Sequence, residues 1–209
     1  MKKIFLATSL LSLFILGAAS DARATPSGEK TTETAATSRG LWLEFKIGSS
    51  IGYAGNMVVL GTSPGFLMGY KLGRVTVGAE VSVGYSGSQS EGSSAGFEYR
   101  SVGFTVIPQV QVNLVQRGPF AVYLVGGAGV SLGWNSYPGM DDYESRSTGV
   151  LVHVGFGVRY YLHPRFALGL EVAADGRWFR TRTDFAGATE RSVSWGATAR
   201  GAFTAAVVF

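Results

Sequence analysis

The chain contains no cysteine. That excludes a disulfide framework, a thiolate metal site and a lipobox cysteine for acylation. Charge is scarce: Asp, Glu, Lys and Arg make up 15% of the 209 residues, and histidine occurs twice. No glycine loop is placed to cradle phosphate, because Gly126-Gly127-Ala128-Gly129 lies inside an extended segment, where Gly permits bends or close packing. What is abundant is Gly itself, at 30 residues, together with 12% aromatics. Low charge combined with Gly and aromatic residues suits a protein with much lipid-facing surface and little facing water.

The length fits one domain, or one domain plus a processed segment. Lys2 and Lys3 precede an apolar run from Ile4 to Leu16, and Ala22-Arg23-Ala24 offers a small-x-small cleavage site, the layout of a secretory signal peptide over residues 1–24. The run is short of the roughly 20 residues that a spanning helix needs. Cleavage after Ala24 lowers the formal charge from +4 to +2. A mature chain so close to neutral gives no basis for binding nucleic acid. Residues 25–40 are rich in Thr, Ser and Ala without periodic apolar positions, and read as a flexible lead-in. The domain proper is expected over 41–209.

From Leu41 a two-residue period sets in and recurs. Successive strand side chains point to opposite faces. Leu41, Leu43, Phe45 and Ile47 oppose Trp42, Glu44 and Lys46. Phe66, Met68, Tyr70 and Leu72 oppose Leu67, Gly69 and Lys71. Six further segments follow: Val75–Tyr85, Ser101–Leu114, Phe120–Trp134, Val150–Leu162, Phe166–Arg180 and Ser192–Phe209. In the last, Val193, Trp195, Ala197, Ala199, Gly201, Phe203, Ala205, Val207 and Phe209 form one apolar face over a length that a membrane strand requires and a soluble sandwich does not. Pro108 falls on the apolar face of the fourth segment and removes a ladder donor, which predicts a bulge there. Links after even-numbered strands are short and those after odd-numbered strands are long (about 54–64, 86–98, 135–148 and 181–191), the rhythm of an outer-membrane barrel. Met57-Val-Val-Leu60 either stays in the first long link or lengthens strand two across Pro64; the count is eight in both cases. The expected fold is all-β, an eight-stranded antiparallel up-and-down transmembrane β-barrel.

On these marks the chain resembles the small eight-stranded outer-membrane barrels, the OmpA/OmpX-like group, over residues 41–209. The resemblance implies a monomer in the cell outer membrane among outer-membrane lipid and lipopolysaccharide. It also implies delivery by periplasmic chaperones to the barrel assembly machinery. Val207 and Phe209 match the final apolar pair of the family's C-terminal assembly signal, with Thr204 where the family usually has Gly. The fold hosts adhesins, anchors, channels and enzymes alike. Lipid A deacylase relatives use a His-x-Ser pair on the lipid side of a strand, and palmitoyltransferase relatives a His in an early outer loop. Here His153 precedes Val154-Gly155 on the inward face, and His163 sits in a short turn beside Pro164. Neither matches, so no catalytic residue is assigned and the expected function is non-enzymatic, structural or adhesive through the outer loops. The alternative is a small-solute or ion channel, with a lipid A-modifying enzyme a distant third.

The inward face carries the chemistry. It is expected to hold Glu44, Lys46, Lys71, Glu80, His153, Arg159, Glu171, Asp175, Arg177 and Arg200. An eight-stranded barrel is only just wide enough to be filled by side chains, so these charges must pair and form either a plug or a gated ion path. No cofactor is expected, and Asp141-Asp142-Tyr143-Glu144 lacks calcium-loop spacing. The outer links offer Tyr53, the run from Met57 to Leu60, the Ser/Gly stretch 86–96, Tyr137, Met140, Tyr143 and Phe185 for contact with an unidentified extracellular ligand. Arg100, Arg180 and Arg182 fall near the outer rim, within reach of lipopolysaccharide phosphates. Phe45, Tyr70, Tyr85, Phe120, Trp134, Tyr160, Phe166, Trp178, Trp195 and Phe209 are candidates for aromatic girdles.

Overall fold

Each segment has one apolar and one polar face, and a single sheet can bury neither edge nor polar face in lipid unless it closes on itself. The chain does close. The computed structural model describes residues 38–54, 57–89, 98–136, 144–185 and 188–209, with side chains left undescribed at 53–59, 87–100 and 185. The strands are β1 (Arg39–Ala54), β2 (Met57–Thr62), β3 (Gly65–Leu72), β4 (Val75–Gln89), β5 (Glu98–Arg117), β6 (Phe120–Ser136), β7 (Glu144–His163), β8 (Phe166–Phe185) and β9 (Ala188–Val208). All pairings are antiparallel; β2 and β3 together sit between β1 and β4, the later strands each pair with the next, and β1 pairs with β9 to shut the ring. Among the described residues no helix is long and apolar enough to cross a membrane, and the crossing elements are strands.

Nine segments make eight staves. β1 pairs with β3 up to Lys46↔Gly65 and resumes with β2 at Ser49↔Thr62. The chain advances three residues on each side of this gap, so the register passes through Ser63–Pro64 without a shift. Pro64 has no N–H for the ladder, yet its carbonyl accepts from Val83 N–H at 3.1 Å. Met57–Leu60 therefore lengthens strand two.

The register fixes the tilt. Pairs lead from Trp42 through Gly69, Gly78, Gln109, Gly127, His153, Asp175 and Thr198 back to Gly52. One circuit thus climbs ten residues along β1. With about 3.4 Å per residue and about 4.8 Å between eight strands, this stagger tilts the strands by about 41°. Phe166 and Trp178, twelve residues apart on β8, are then separated by about 31 Å along the axis. That matches the roughly 30 Å of a bilayer's hydrocarbon core. Tyr70, Phe120, Tyr160, Phe166 and Phe209 gather at the end carrying the two-residue turns, where Phe120 and Tyr160 meet edge to face with centroids 4.8 Å apart. Tyr85, Trp134, Trp178 and Trp195 form the opposite belt, Tyr85 and Trp134 both pairing with Val102, and Trp178 with Trp195. Phe45 belongs to neither girdle. It pairs with Phe66 and Ala205, about 10 Å inside the turn-end belt at this tilt. Between the belts the outward face is mainly Leu, Val, Ile, Phe, Met and Ala, much of it exposed, as at Val154 and Met68.

Three expectations need correction. β1 begins at Arg39, two residues inside the expected lead-in, because its ladder with β3 runs to Arg39↔Leu72, while the closing ladder reaches Leu41 and Phe209, which exchange N–H···O bonds of 3.1 and 2.9 Å. The strands run further into the long links than expected: β7 starts at Glu144, and β8 and β9 run to residues 185 and 188. Backbone pairing continues above the lipid, where neither face needs to be apolar and the two-residue signature lapses. Pro108 causes no bulge. The β5–β6 register is the same on either side of it and shifts instead between Asn113 and Val115. Gly127 lies so close to the Pro108 carbonyl that a Cβ would stand 2.5 Å from its oxygen, so the neighbouring backbone accommodates Pro108 without an extra residue. The signal peptide, residues 25–37, Tyr137, Met140, Asp141, Asp142 and Tyr143 lie outside the described residues.

Val172 sits midway along β8 between Phe166 and Trp178 and is half exposed on the outward face. Val172→Arg should cost about 2–4 kcal/mol, whereas Thr148→Arg, level with the Trp belt, should cost no more than about 1 kcal/mol. Urea unfolding from lipid vesicles measures both; equal costs would contradict the assigned depths.

Candidate functional site

Side chains with the parity of Glu44 on β1, Glu80 on β4 and Glu171 on β8 point into the ring. There they stack in tiers from the turn end upward. In the lowest tier the Glu44 carboxylate collects three donors at Oε2: Arg159 Nη2 at 2.8 Å, Trp42 Nε1 at 3.0 Å and Gln111 Nε2 at 3.1 Å. Arg159 also donates to Gln111 Oε1 at 2.6 Å. Its guanidinium lies 3.8 Å from the centroid of the Tyr123 ring and 4.7 Å from that of Trp42. Lys71 stands between Trp42 and Tyr161, 5.3 and 4.9 Å from the ring centroids, and donates to the Tyr161 hydroxyl at 3.3 Å. Desolvated cation–π contacts of this kind are worth about 2 kcal/mol or more.

The middle tier is a chain of ion pairs. Lys46 Nζ is 2.8 Å from Glu80 Oε2 and 2.8 Å from Glu171 Oε1. Arg200 Nη1 donates to Glu80 Oε1 at 2.8 Å, and the Tyr123 hydroxyl donates to Glu171 Oε2 at 3.0 Å. The upper tier holds His153 and Asp175, cross-strand neighbours whose Nδ1 and Oδ1 are 2.7 Å apart. Arg177 Nη2 reaches the other Asp175 oxygen at 3.2 Å. Arg200 lies against the His153 ring, with Nη2 3.3 Å from Nε2, and so links this tier to the middle one.

All ten sequence-predicted lumenal residues lie inside the ring. Nine are buried, and the Arg177 side chain, the outermost, retains 35% exposure. Sequence reasoning did not include Trp42, Gln111, Tyr123 and Tyr161 among the working residues, although their parity was the same. Attention to charge passes over neutral side chains that contribute a hydrogen bond and a ring face, as Trp42, Tyr123 and Tyr161 do, or two hydrogen bonds, as Gln111 does. Tyr123 in turn depends on Gly157, since a Cβ there would fall on the Tyr123 ring. Val207 is half-buried and Phe209 is exposed beside the ring-closing ladder, and Thr204 faces inward opposite Gly169.

The interior changes character above His153. Gly84, Gly103, Ser131, Gly133 and Ser147 share the inward parity, are small, and are only partly buried. A Cβ built at Gly84 would meet nothing within 4 Å. Among the described residues the lining is therefore large and charged at the turn end and mostly small toward the hairpin end, a cup that Leu151, Arg177 and Phe179 still enter. Chemically the arrangement holds charge rather than exposing it: His153 and Asp175 have the contact of an acid–base pair, but both are buried. His163 lies in the turn, accepting the Arg165 backbone N–H at 3.2 Å.

No family model matches the chain, and no curated protein matches it. Solved structures do. The crystal structure of Neisserial surface protein A superposes with a TM-score of 0.54 at 18% identity, covering 81% of this chain and 97% of that one. A major outer membrane protein from Thermus thermophilus aligns at 16% identity and a TM-score of 0.47, covering 80% of this chain and 99% of that one. At such identities the first match establishes the fold, that of a small outer-membrane β-barrel.

Glu44→Gln leaves the buried Arg159 charge without its carboxylate and should cost about 3–5 kcal/mol. Adding Arg159→Met should recover part of that loss. Urea unfolding of both variants measures the coupling, and additive costs would argue against a working pair.

Proposed function

We propose that this chain is a monomeric barrel of the cell outer membrane, reached through a cleaved signal peptide, periplasmic chaperones and the barrel assembly machinery. Val207 and Phe209 serve as the C-terminal mark for assembly. Its function is non-enzymatic. The ion-paired tiers close the periplasmic half, while the cup and the hairpins above it meet the surroundings in a structural or surface-interaction role. The observation that carries this reading is the closed floor: Trp42, Lys46, Arg159 and Tyr123 each keep no more than 2% exposure inside the ring. A barrel of eight strands has little room beyond its own side chains, and four such groups through the lowest and middle tiers support a closed path for solutes. Outer-membrane lipid and lipopolysaccharide are its immediate environment.

Conductance of the refolded, signal-free chain in a planar lipid bilayer tests the reading. The expected trace is silent, with folding established by a heat-dependent gel shift. Arg200→Ala removes the link between the middle and upper tiers and should raise conductance. Reproducible steps from the unaltered protein would replace the closed-floor reading with a channel gated by the same ion pairs.

A further inference from the structure

The outward face of β7, β8 and β9 is layered where it leaves the apolar band. Trp178 and Trp195 pair across β8 and β9. Two residues above Trp178 on the same strand is Arg180. The next outward row is entirely cationic: Arg146 on β7 pairs with Arg182 on β8, which pairs with Arg191 on β9. Above it stand Glu144 and Asp184, again cross-strand neighbours.

Like charges directly opposite one another destabilise a sheet, so three arginines in register are a local cost that the fold alone does not require. The acids above offset only part of it. Arg146 Nη2 pairs with Glu144 Oε1 at 2.7 Å and Arg182 Nε with Asp184 Oδ2 at 3.1 Å. Asp184 also accepts from the Thr189 hydroxyl at 2.5 Å. That bond, with Arg182 beside it, holds its carboxyl below the usual range and keeps it charged. Arg180 and Arg191 are exposed and make no ion pair among the described residues. Four guanidiniums thus face two carboxylates, leaving an excess of two positive charges on one face.

Height decides what compensates them. Arg180 and Arg182 lie about 5 and about 10 Å above Trp178 along the axis. A polar headgroup layer extends roughly 5–8 Å beyond the hydrocarbon. Arg180 stands at the level of that layer and the Arg146–Arg182–Arg191 row at its outer edge, all on the outward face, away from the lumen. Guanidinium is the group that binds phosphate bidentately and tolerates partial desolvation.

We propose that Arg146, Arg180, Arg182 and Arg191 form a clamp for the phosphate groups of a phosphorylated lipid headgroup in the leaflet around the hairpin end. The site deepens the outer-membrane reading and rests on it. The ligand is a lipid rather than a soluble anion because the row lies on the outward sheet face directly over the Trp pair, not at a hairpin tip.

The test uses the full mature chain folded in detergent and in phosphatidylcholine vesicles, probed with bisphosphorylated lipid A and with the same lipid after dephosphorylation. The bisphosphorylated lipid should raise the unfolding temperature and the dephosphorylated one should not. Arg180→Gln/Arg182→Gln/Arg191→Gln should weaken its apparent affinity at least tenfold while preserving the heat-dependent gel shift. Glu144→Gln, which frees Arg146, should not weaken it. Equal stabilisation by both lipids, or unchanged affinity in the triple variant, overturns the clamp. So does arginine-dependent binding of inositol hexakisphosphate without any effect of the phosphorylated lipid, which would assign the row to a soluble polyanion. A chain with no heat-dependent gel shift in any lipid would instead overturn the barrel reading itself, and the clamp with it.

Discussion

Everything in this molecule depends on the ladder between β1 and β9. A backbone N–H or C=O left unpaired in hydrocarbon costs several kcal/mol (about 4–8 against an alkane reference). An open sheet of these strands would carry a row of such groups at each edge. Thirteen residue pairs, from Trp42↔Val208 to Ala54↔Gly196, remove both edges at once, and the Leu41–Phe209 bonds carry the seam to the last residue. Once the ring is shut, strand number and stagger set the radius, and the radius decides what the interior can contain.

The interior that results is too narrow for water to solvate ten ionisable groups and too polar to be left unpaired. The sequence resolves this with alternating partners: Glu44 with Arg159, Lys46 with Glu80 and Glu171, Arg200 with Glu80. Aromatic faces take the remaining cationic surface, as Tyr123 does for Arg159. Large groups at the turn end require small ones facing them, which is the place of Gly157 beneath the Tyr123 ring. Toward the hairpin end most inward positions are Gly, Ser and Thr, and Leu151, Arg177 and Phe179 are the larger side chains among them, so the ion-paired filling thins and the cup begins. The outward face follows an equally simple gradient, from aliphatic through tryptophan to arginine to carboxylate, that mirrors the change from hydrocarbon to headgroup to water.

How much of this was legible in the sequence follows from which quantities are local. Side-chain parity is local. It sets ten charged or histidine side chains, from Glu44 to Arg200, on the inward parity, and Val172 outward beside inward Ala173. Turn chemistry is local as well, and the three short links fell where expected. Strand ends were less legible, because periodicity measures lipid contact while strand length measures hydrogen bonding. From Glu144 to Thr148 and from Thr181 to Asp184 the pairing persists in segments whose two faces are both polar. Pro108 was misread for a related reason: its effect depends on the glycine backbone that faces it across β5 and β6.

What the sequence determined alone is the two-faced strand, the number of staves and the set of side chains committed to the interior, since each follows from the fixed alternation of an extended chain. What only the tertiary structure decided is the stagger of ten residues per circuit. That offset brings Glu44 to Arg159 across 115 positions of sequence, sets Arg146, Arg182 and Arg191 in one row, and leaves Phe45 inside the apolar band. The physical reason is that parity is a property of one strand, whereas register belongs to the closed ring. The offsets between neighbouring strands must together satisfy one closure, and no single strand carries that sum.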